Sequence, residues 1–520
     1  MKKKLLSGLL VAAMAMSLFA GCGGGGDDSS KGNSTGGTQG GAAAGGEDAG
    51  ISKEIDMDED PYTVAIQVVT LPGTDFSAYE ADLEAKLNEI TLPAINCNVD
   101  VQFVWISEVA NTTSMAVAGN EKVDLLHVAT VSPLSSMVGS DMLHDMNEDN
   151  LLQNRGPKLV ELFSDRLDSG NVNGQQLAVP AKTFDATAKG IAYNKDMLDE
   201  AGATLGDKIT MDDLEAALIK VHEKFPDVYP YYSGNGELNY LFWLAAYETF
   251  GTESSYGIIL DSANDPTIVN LYGTDMFKDY CVRMQKWNSM GLQPGDPTDT
   301  SSAQDYFKAG KLFSAVVSVN PEQEVMWNQN DFNVGYSTLV DPVVNNTAIT
   351  EYMWGIASNC ERPDKAMDLL NFIYSNADAA NLLQYGIEGT NYDFADGSDK
   401  VIATNGTYDP MFYYAGDTAD MLIKAPAGED YVDQLQAMQD AAKISPICGY
   451  MFSDADFQTE ASVINSTILQ YLPRLQCGMC GSEEETLALI DEFNAALDAA
   501  GINDVIAANQ EQLDAYLAAQ

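Results

Sequence analysis

Basic residues are scarce. The 520-residue chain carries 27 Lys and Arg against 77 Asp and Glu, a formal charge of −50 at pH 7. A field of that sign repels nucleic acid, anionic lipid and polyanionic ligands, and leaves neutral or cationic solutes as partners. Histidine is scarcer still. His127, His144 and His222 lie far apart and far from the single C-x-x-C, Cys477-Gly478-Met479-Cys480, so no zinc set of the usual spacing assembles. After residue 20 no apolar run is long enough to span a membrane. There is no G-x-S-x-G, H-E-x-x-H, P-loop or G-x-G-x-x-G following a strand, which removes the motif support for several enzyme classes. Asp56-Met57-Asp58-Glu59-Asp60 starts like a calcium loop, but Pro61-Tyr62 stands where glycine and further ligands are needed. No metal and no cofactor are expected.

What is present begins at the N-terminus. Lys2, Lys3 and Lys4 precede an apolar run from Leu5 to Ala20 that is too short to cross a bilayer and stay. The segment Leu18-Phe19-Ala20-Gly21-Cys22 closes it and resembles the lipobox of bacterial lipoproteins, in which the cysteine is acylated and becomes the new N-terminus. Residues 1–21 read as a signal peptide, and Cys22 as the lipidation site. Loss of the three lysines takes the formal charge to −53. Residues 22–60 are rich in Gly, Ser and Ala and end acidic. Such a segment cannot bury enough apolar surface to offset its ordering entropy and reads as a tether. The mature chain is expected to be lipid-anchored at the extracellular face of the cell membrane.

The body, from residue 61, exceeds one core and predicts two lobes. Residues 62–71 read as a buried strand, and Phe76, Tyr79, Leu83, Leu87 and Ile90 mark an amphipathic helix. Residues 98–106 and 123–131 return to strand. Strand, helix, strand, strand implies a parallel α/β sheet. Further strands are expected at 188–194, 312–319 and 351–357, and a mainly helical portion follows Arg362-Pro363-Asp364. Beyond Cys22 six cysteines remain. The C-x-x-C follows a helix-like stretch and precedes Ser482-Glu483-Glu484-Glu485, a capping start. That placement reads as an inert staple between helices, not a redox centre.

Three segments carry a resemblance. They are Asn173-Gly174-Gln175 through Val179-Pro180 with Tyr193-Asn194-Lys195-Asp196-Met197-Leu198; Phe307-Lys308-Ala309-Gly310-Lys311-Leu312; and Asn381-Leu382-Leu383-Gln384-Tyr385-Gly386-Ile387-Glu388-Gly389. In this order they resemble the extracellular solute-binding proteins of ABC importers, of the maltose-binding type, and a Firmicute lipoprotein subgroup within them. Leu312-Phe313 replaces the family's usual small residue and methionine, and Gly389-Thr390-Asn391-Tyr392 departs from the subgroup's Gly-Lys-His-Tyr. The resemblance implies a type II periplasmic-binding-protein-like fold, two α/β lobes joined by hinge strands, with a helical C-terminal portion. It places lobe 1 at 61–186 plus 320–353 and lobe 2 at 187–319 plus 354–520. The chain is then expected to leave lobe 1 near residues 181–189, return near Val319 and cross again near Trp354.

The implied function is capture of a carbohydrate, an oligosaccharide for preference, and its delivery to ABC permease subunits by a monomeric, lipid-anchored receptor that is not an enzyme. Peptides or other polar solutes are the alternative, and a lipid-anchored glycosidase the more distant one. Sugars need flat aromatic faces and planar polar groups together. Loops at strand ends offer Thr70, Thr130, Phe184, Asp185, Asn320, Glu322, Trp327, Tyr352 and Trp354, with Trp243 in a helix-like run. Trp105 alternates with sheet residues and reads as core, and Trp287 fits either role.

Overall fold

The structure is a computed structural model that describes residues 51–71, 73–128, 132–232, 247–294, 303–321, 333–410 and 415–519. The first sheet grows from β1 (Tyr62–Thr70), whose residues are buried from Val64 onward. Such unbroken apolarity is what a central parallel strand covered on both faces requires. Helix α1 (Ser77–Ile95) turns its Leu83, Leu87, Thr91 and Ile95 inward and ends at Asn96, in a left-handed conformation. β2 (Cys97–Trp105) and β3 (Leu125–Val128) then pair parallel to β1 on either side. β4 (Val179–Pro180) forms the far edge.

The second sheet contains β5 (Thr187–Asn194), β6 (Tyr229–Tyr232), β7 (Leu312–Val319) and β8 (Val334–Val344). β9 (Met353–Ile356) returns to the first sheet, antiparallel between β3 and β4, and β10 (Lys443–Ile444) joins the second beside β8. The orders are β2-β1-β3-β9-β4 and β10-β8-β5-β7-β6. Each sheet has its own core. Val64, Ile66, Leu125, Trp354 and Tyr374 pack around the first, and Ile191, Tyr231, Trp287 and Phe313 around the second. Two α/β lobes result.

The lobe boundaries differ from the sequence expectation. The strands on either side of residues 320–333, β7 and β8, both belong to the second sheet. The return is at residues 345–352, and 353–430 belong largely to lobe 1: helices α4 (Pro363–Ser375) and α5 (Ala377–Tyr385), with Tyr408 and Ala415, pack on its core. The third crossing lies ahead of the helix Tyr431–Ala441, which packs against β8. The missed element is β8. Its Asp341-Pro342 breaks the apolar pattern, and the fold accommodates it with register shifts at Thr338/Val340 and Val340/Val343.

In lobe 2, α2 (Met211–Lys224) opens with a complete capping box at Thr210 and Asp213. On α3 (Asp275–Ser289) Trp287 is fully buried, and its indole N–H donates to Glu215 at 2.7 Å, which settles its role as core. After α6 (Tyr431–Ala441) come α7 (Gln458–Gln476), α8 (Glu483–Ala500) and α9 (Ile502–Ala519), whose apolar faces join the same core. The C-x-x-C sits between α7 and α8. No disulfide joins its two cysteines, and the Asn288 amide donates to the Cys477 carbonyl at 2.9 Å. Gly478, at φ +64°, lies so close to α3 that a Cβ would meet the Met284 carbonyl oxygen at 2.1 Å. The junction is therefore held by packing and hydrogen bonds, not by a disulfide. Among the described residues no helix is long and apolar enough to cross a membrane.

Candidate ligand-binding cleft

Strand direction locates the cleft. In the first sheet β1, β2 and β3 run parallel, and the antiparallel pairing of Met353 with both Val128 and Pro180 puts the ends of β3 and β4 at one edge, beside the start of β9. In the second, β6, β7, β8 and β10 all run opposite to β5, so their carboxyl ends lie where β5 begins. Residues 181–186 and 345–352 join these two edges to each other. Ligands of open α/β sheets sit beyond the carboxyl ends of strands, and here two such edges meet at one hinge.

On the lobe 1 edge the open side chains are Leu71, Trp105 and Ile106, with relative exposures of 50%, 38% and 36%. Trp105 ends β2 and is fixed: its indole N–H donates to the Thr74 carbonyl at 2.9 Å, while the Thr74 hydroxyl donates to the Leu71 carbonyl at 2.6 Å. The Ile106 amide donates to the Thr70 carbonyl at 2.8 Å. A flat apolar ring, positioned and solvent-open, can cover the C–H face of a pyranose. Sequence alternation assigns Trp105 to the core, but the last residue of a strand projects past the helices that cover the rest of it. Its place at a strand's carboxyl terminus was the available signal.

The other site residues divide by location. Thr70 is buried, with its hydroxyl 3.5 Å from the Val104 carbonyl. Phe184 and Tyr352 are half-buried in the first and second crossings, and Asn320 is half-buried at the end of β7. Trp354 is 0% exposed in the lobe 1 core, with its ring 4.0 Å from that of His127, so it presents no face to the cleft. Thr130, Trp243, Glu322, Trp327 and Cys22 lie outside the described residues.

Asp185 is buried in the first crossing, 3.0 Å from Arg166 Nε. Burial raises its carboxyl to about 6, against the opposing pull of Arg166 and Lys182. The Lys182 ammonium lies over the Tyr352 ring at 5.9 Å. Across the hinge, on β5, burial lowers the Lys189 ammonium to about 8, with Glu351 favouring its charge, and Lys189 donates to the Ser318 hydroxyl at 2.8 Å. Sequence reasoning missed Lys189, Arg166 and Gln439. Gln439, on α6, accepts from the amides of Asp185 at 3.1 Å and Ala186 at 2.9 Å.

This geometry has parallels in known proteins. Residues 94–407 match the family model described as bacterial extracellular solute-binding protein, and residues 446–518 match a domain of unknown function. A carbohydrate ABC transporter substrate-binding protein of Streptococcus pneumoniae is 21% identical over 84% of this chain and 88% of its own length. The crystal structure of the N-glycan transport solute binding protein of the same species has a TM-score of 0.74 at 18% identity, covering 88% of this chain and 99% of that one. An HMO-binding, ABC-transporter-associated solute binding protein of Bifidobacterium longum infantis has a TM-score of 0.61 at 18% identity, covering 88% and 99%. With two lobes meeting at their carboxyl edges and a family match over more than half its length, the chain belongs to the bacterial extracellular solute-binding proteins.

Proposed function

We propose that the protein captures an oligosaccharide between its lobes and passes it to the permease subunits of an ABC importer, while a lipid on Cys22 holds it at the outer face of the membrane. One observation carries the reading: the Trp105 ring, fixed by Thr74 and open to solvent at the carboxyl end of β2. A neutral glycan also suits a chain of charge −50, which disfavours polyanions. Supporting this, one solved relative was crystallised with Man1GlcNAc and with Man5GlcNAc, at TM-scores of 0.66 and 0.64 to this chain. Closure on the ligand would draw on its higher affinity for the closed state.

Calorimetric titration with Man5GlcNAc, other neutral oligosaccharides, free amino acids and short peptides tests the reading. An oligosaccharide is expected to bind with one-to-one stoichiometry. Trp105→Ala removes an aromatic anchor worth about 2 kcal/mol, a loss of about 30-fold in affinity. Heat from peptides and none from any sugar would overturn the carbohydrate reading. For the anchor, Cys22→Ser is expected to release the protein from the cell into the medium.

A further inference from the structure

The first crossing is held from both sides at one point. Upstream of it, residues 181–183 are tied to lobe 1. The Ala181 amide donates to the Tyr352 carbonyl at 3.1 Å, and the Tyr374 hydroxyl donates to the Ala181 carbonyl at 2.6 Å. Arg166 Nη2 donates to the carbonyls of Lys182 at 3.4 Å and Thr183 at 3.2 Å, and the Thr418 amide to the Thr183 hydroxyl at 3.3 Å. Downstream, Thr187 already pairs with Val343 on β8 of lobe 2. Between them, the Asp185 carboxylate faces Arg166 of lobe 1, while the Asp185 and Ala186 amides are taken by Gln439. Gln439 belongs to α6, which packs against β8.

We propose that Asp185 and Ala186 form the fulcrum of lobe movement, with Arg166 fixing its lobe 1 side and Gln439 its lobe 2 side. All three side chains are positioning residues that do not touch the ligand. Hinge motions are absorbed by a few residues whose neighbours are held, and this segment has that construction. Freeing either grip lets the rotation spread along the crossing and changes the resting angle between the lobes. The proposal rests on the reading of a closing cleft but on no particular ligand.

The charged and titratable groups around Asp185 are Arg166 and Asp165 before the 3-10 turn, Lys182 in the same crossing, Glu351 in the second, and the Cys448 thiol and Tyr374 phenol, both pushed up by burial. Asp185 is the group among them held at about 6, so mild acid should act on the fulcrum as its neutralisation does.

Small-angle scattering of the ligand-free protein tests this, with circular dichroism to confirm folding. At about pH 7.5, Asp185→Asn and Gln439→Ala are each expected to shift the radius of gyration, while Lys208→Ala, at an exposed ion pair, leaves it unchanged. Wild type taken to about pH 5 should move toward the Asp185→Asn value, and Asp185→Asn should be insensitive to that change. Folded variants whose radius equals that of wild type at both pH values, even with lowered melting temperature, overturn the proposal. No sugar is added, so an error in the ligand class leaves the result interpretable.

Discussion

Replacing Arg155 by methionine is expected to destabilise the protein by about 3–5 kcal/mol, the cost of stranding one member of a buried ion pair. The side chains of Arg155 and Asp368 are 4% and 1% exposed. Arg155 Nε donates to Asp368 at 2.6 Å, Nη2 pairs with the other carboxylate oxygen, and Nη1 donates to the carbonyls of Ser52 and Glu54, each at 3.2 Å. Burial raises the Asp368 carboxyl, and Arg155 is the first group opposing that rise. Without Arg155 the acid would titrate higher still. The variant's deficit should therefore shrink as pH falls from about 8 to about 5, because the group that must be protonated to be buried then is. Urea denaturation of wild type, Arg155→Met, Asp368→Leu and the double variant provides the assay. The double variant should lose less than the sum of the singles, since an apolar pair of similar volume replaces the ion pair at little net cost. Lys208→Ala, at a pair exposed to 64% and 55%, should cost less than about 1 kcal/mol. If Arg155→Met cost no more than that control, or if its deficit did not vary with pH, the reasoning would be refuted.

Asp185 has a carboxyl raised from 3.8 to about 6, so its favourable contribution is complete below the ordinary value and is lost as pH rises through about 6. At 1.36 kcal/mol per unit, Asp185→Asn should gain about 3 kcal/mol on wild type between about pH 4 and pH 8, read as the difference of the two denaturation curves. A difference that is flat with pH excludes this. Trp354→Ala should cost about 3–5 kcal/mol of stability, whereas Trp105→Ala should leave stability nearly unchanged and lower affinity alone. Gly478→Ala forces a side chain onto the Met284 carbonyl at positive φ and should cost at least about 1–3 kcal/mol. Gly174→Ala, also at positive φ but with open space around it, should cost about 1 kcal/mol, both glycine variants being read by urea denaturation.

Much of the fold was legible because periodicity and punctuation agreed. The run Leu312–Val319 is a strand to the residue, and Ser482 opens α8. Legibility failed where one residue broke a pattern that tertiary contacts restored. Asp341-Pro342 hid β8, and with it the lobe boundaries, because a bulge is invisible to alternation. The exposures of two tryptophans were hidden for a related reason: Trp105 is open and Trp354 buried. Trp105 and Trp354 both alternate with sheet residues. Exposure depends on whether the strand position lies under the helices or beyond their ends, and one strand's sequence does not encode that. The hinge side chains Arg166 and Gln439 could not be found by local reading at all, since Gln439 lies 254 residues from Asp185 and meets it only through the fold.

The segment ahead of β1 has a mechanical consequence. Ile51 is bonded to Asp149 and Asn154, Asn96 takes the carbonyls of Asp56 and Glu59, and Glu59 is ion-paired to Arg362 and Lys365. Every one of these partners belongs to lobe 1, and Asn96 lies at the start of β2, the edge of the sheet away from the hinge. A pull on the chain before residue 51 is thus borne by lobe 1 alone and enters behind the cleft, so tension is not transmitted through the three crossings. With the proposed anchor at Cys22, the load would fall on lobe 1 and leave the angle between the lobes to the ligand alone.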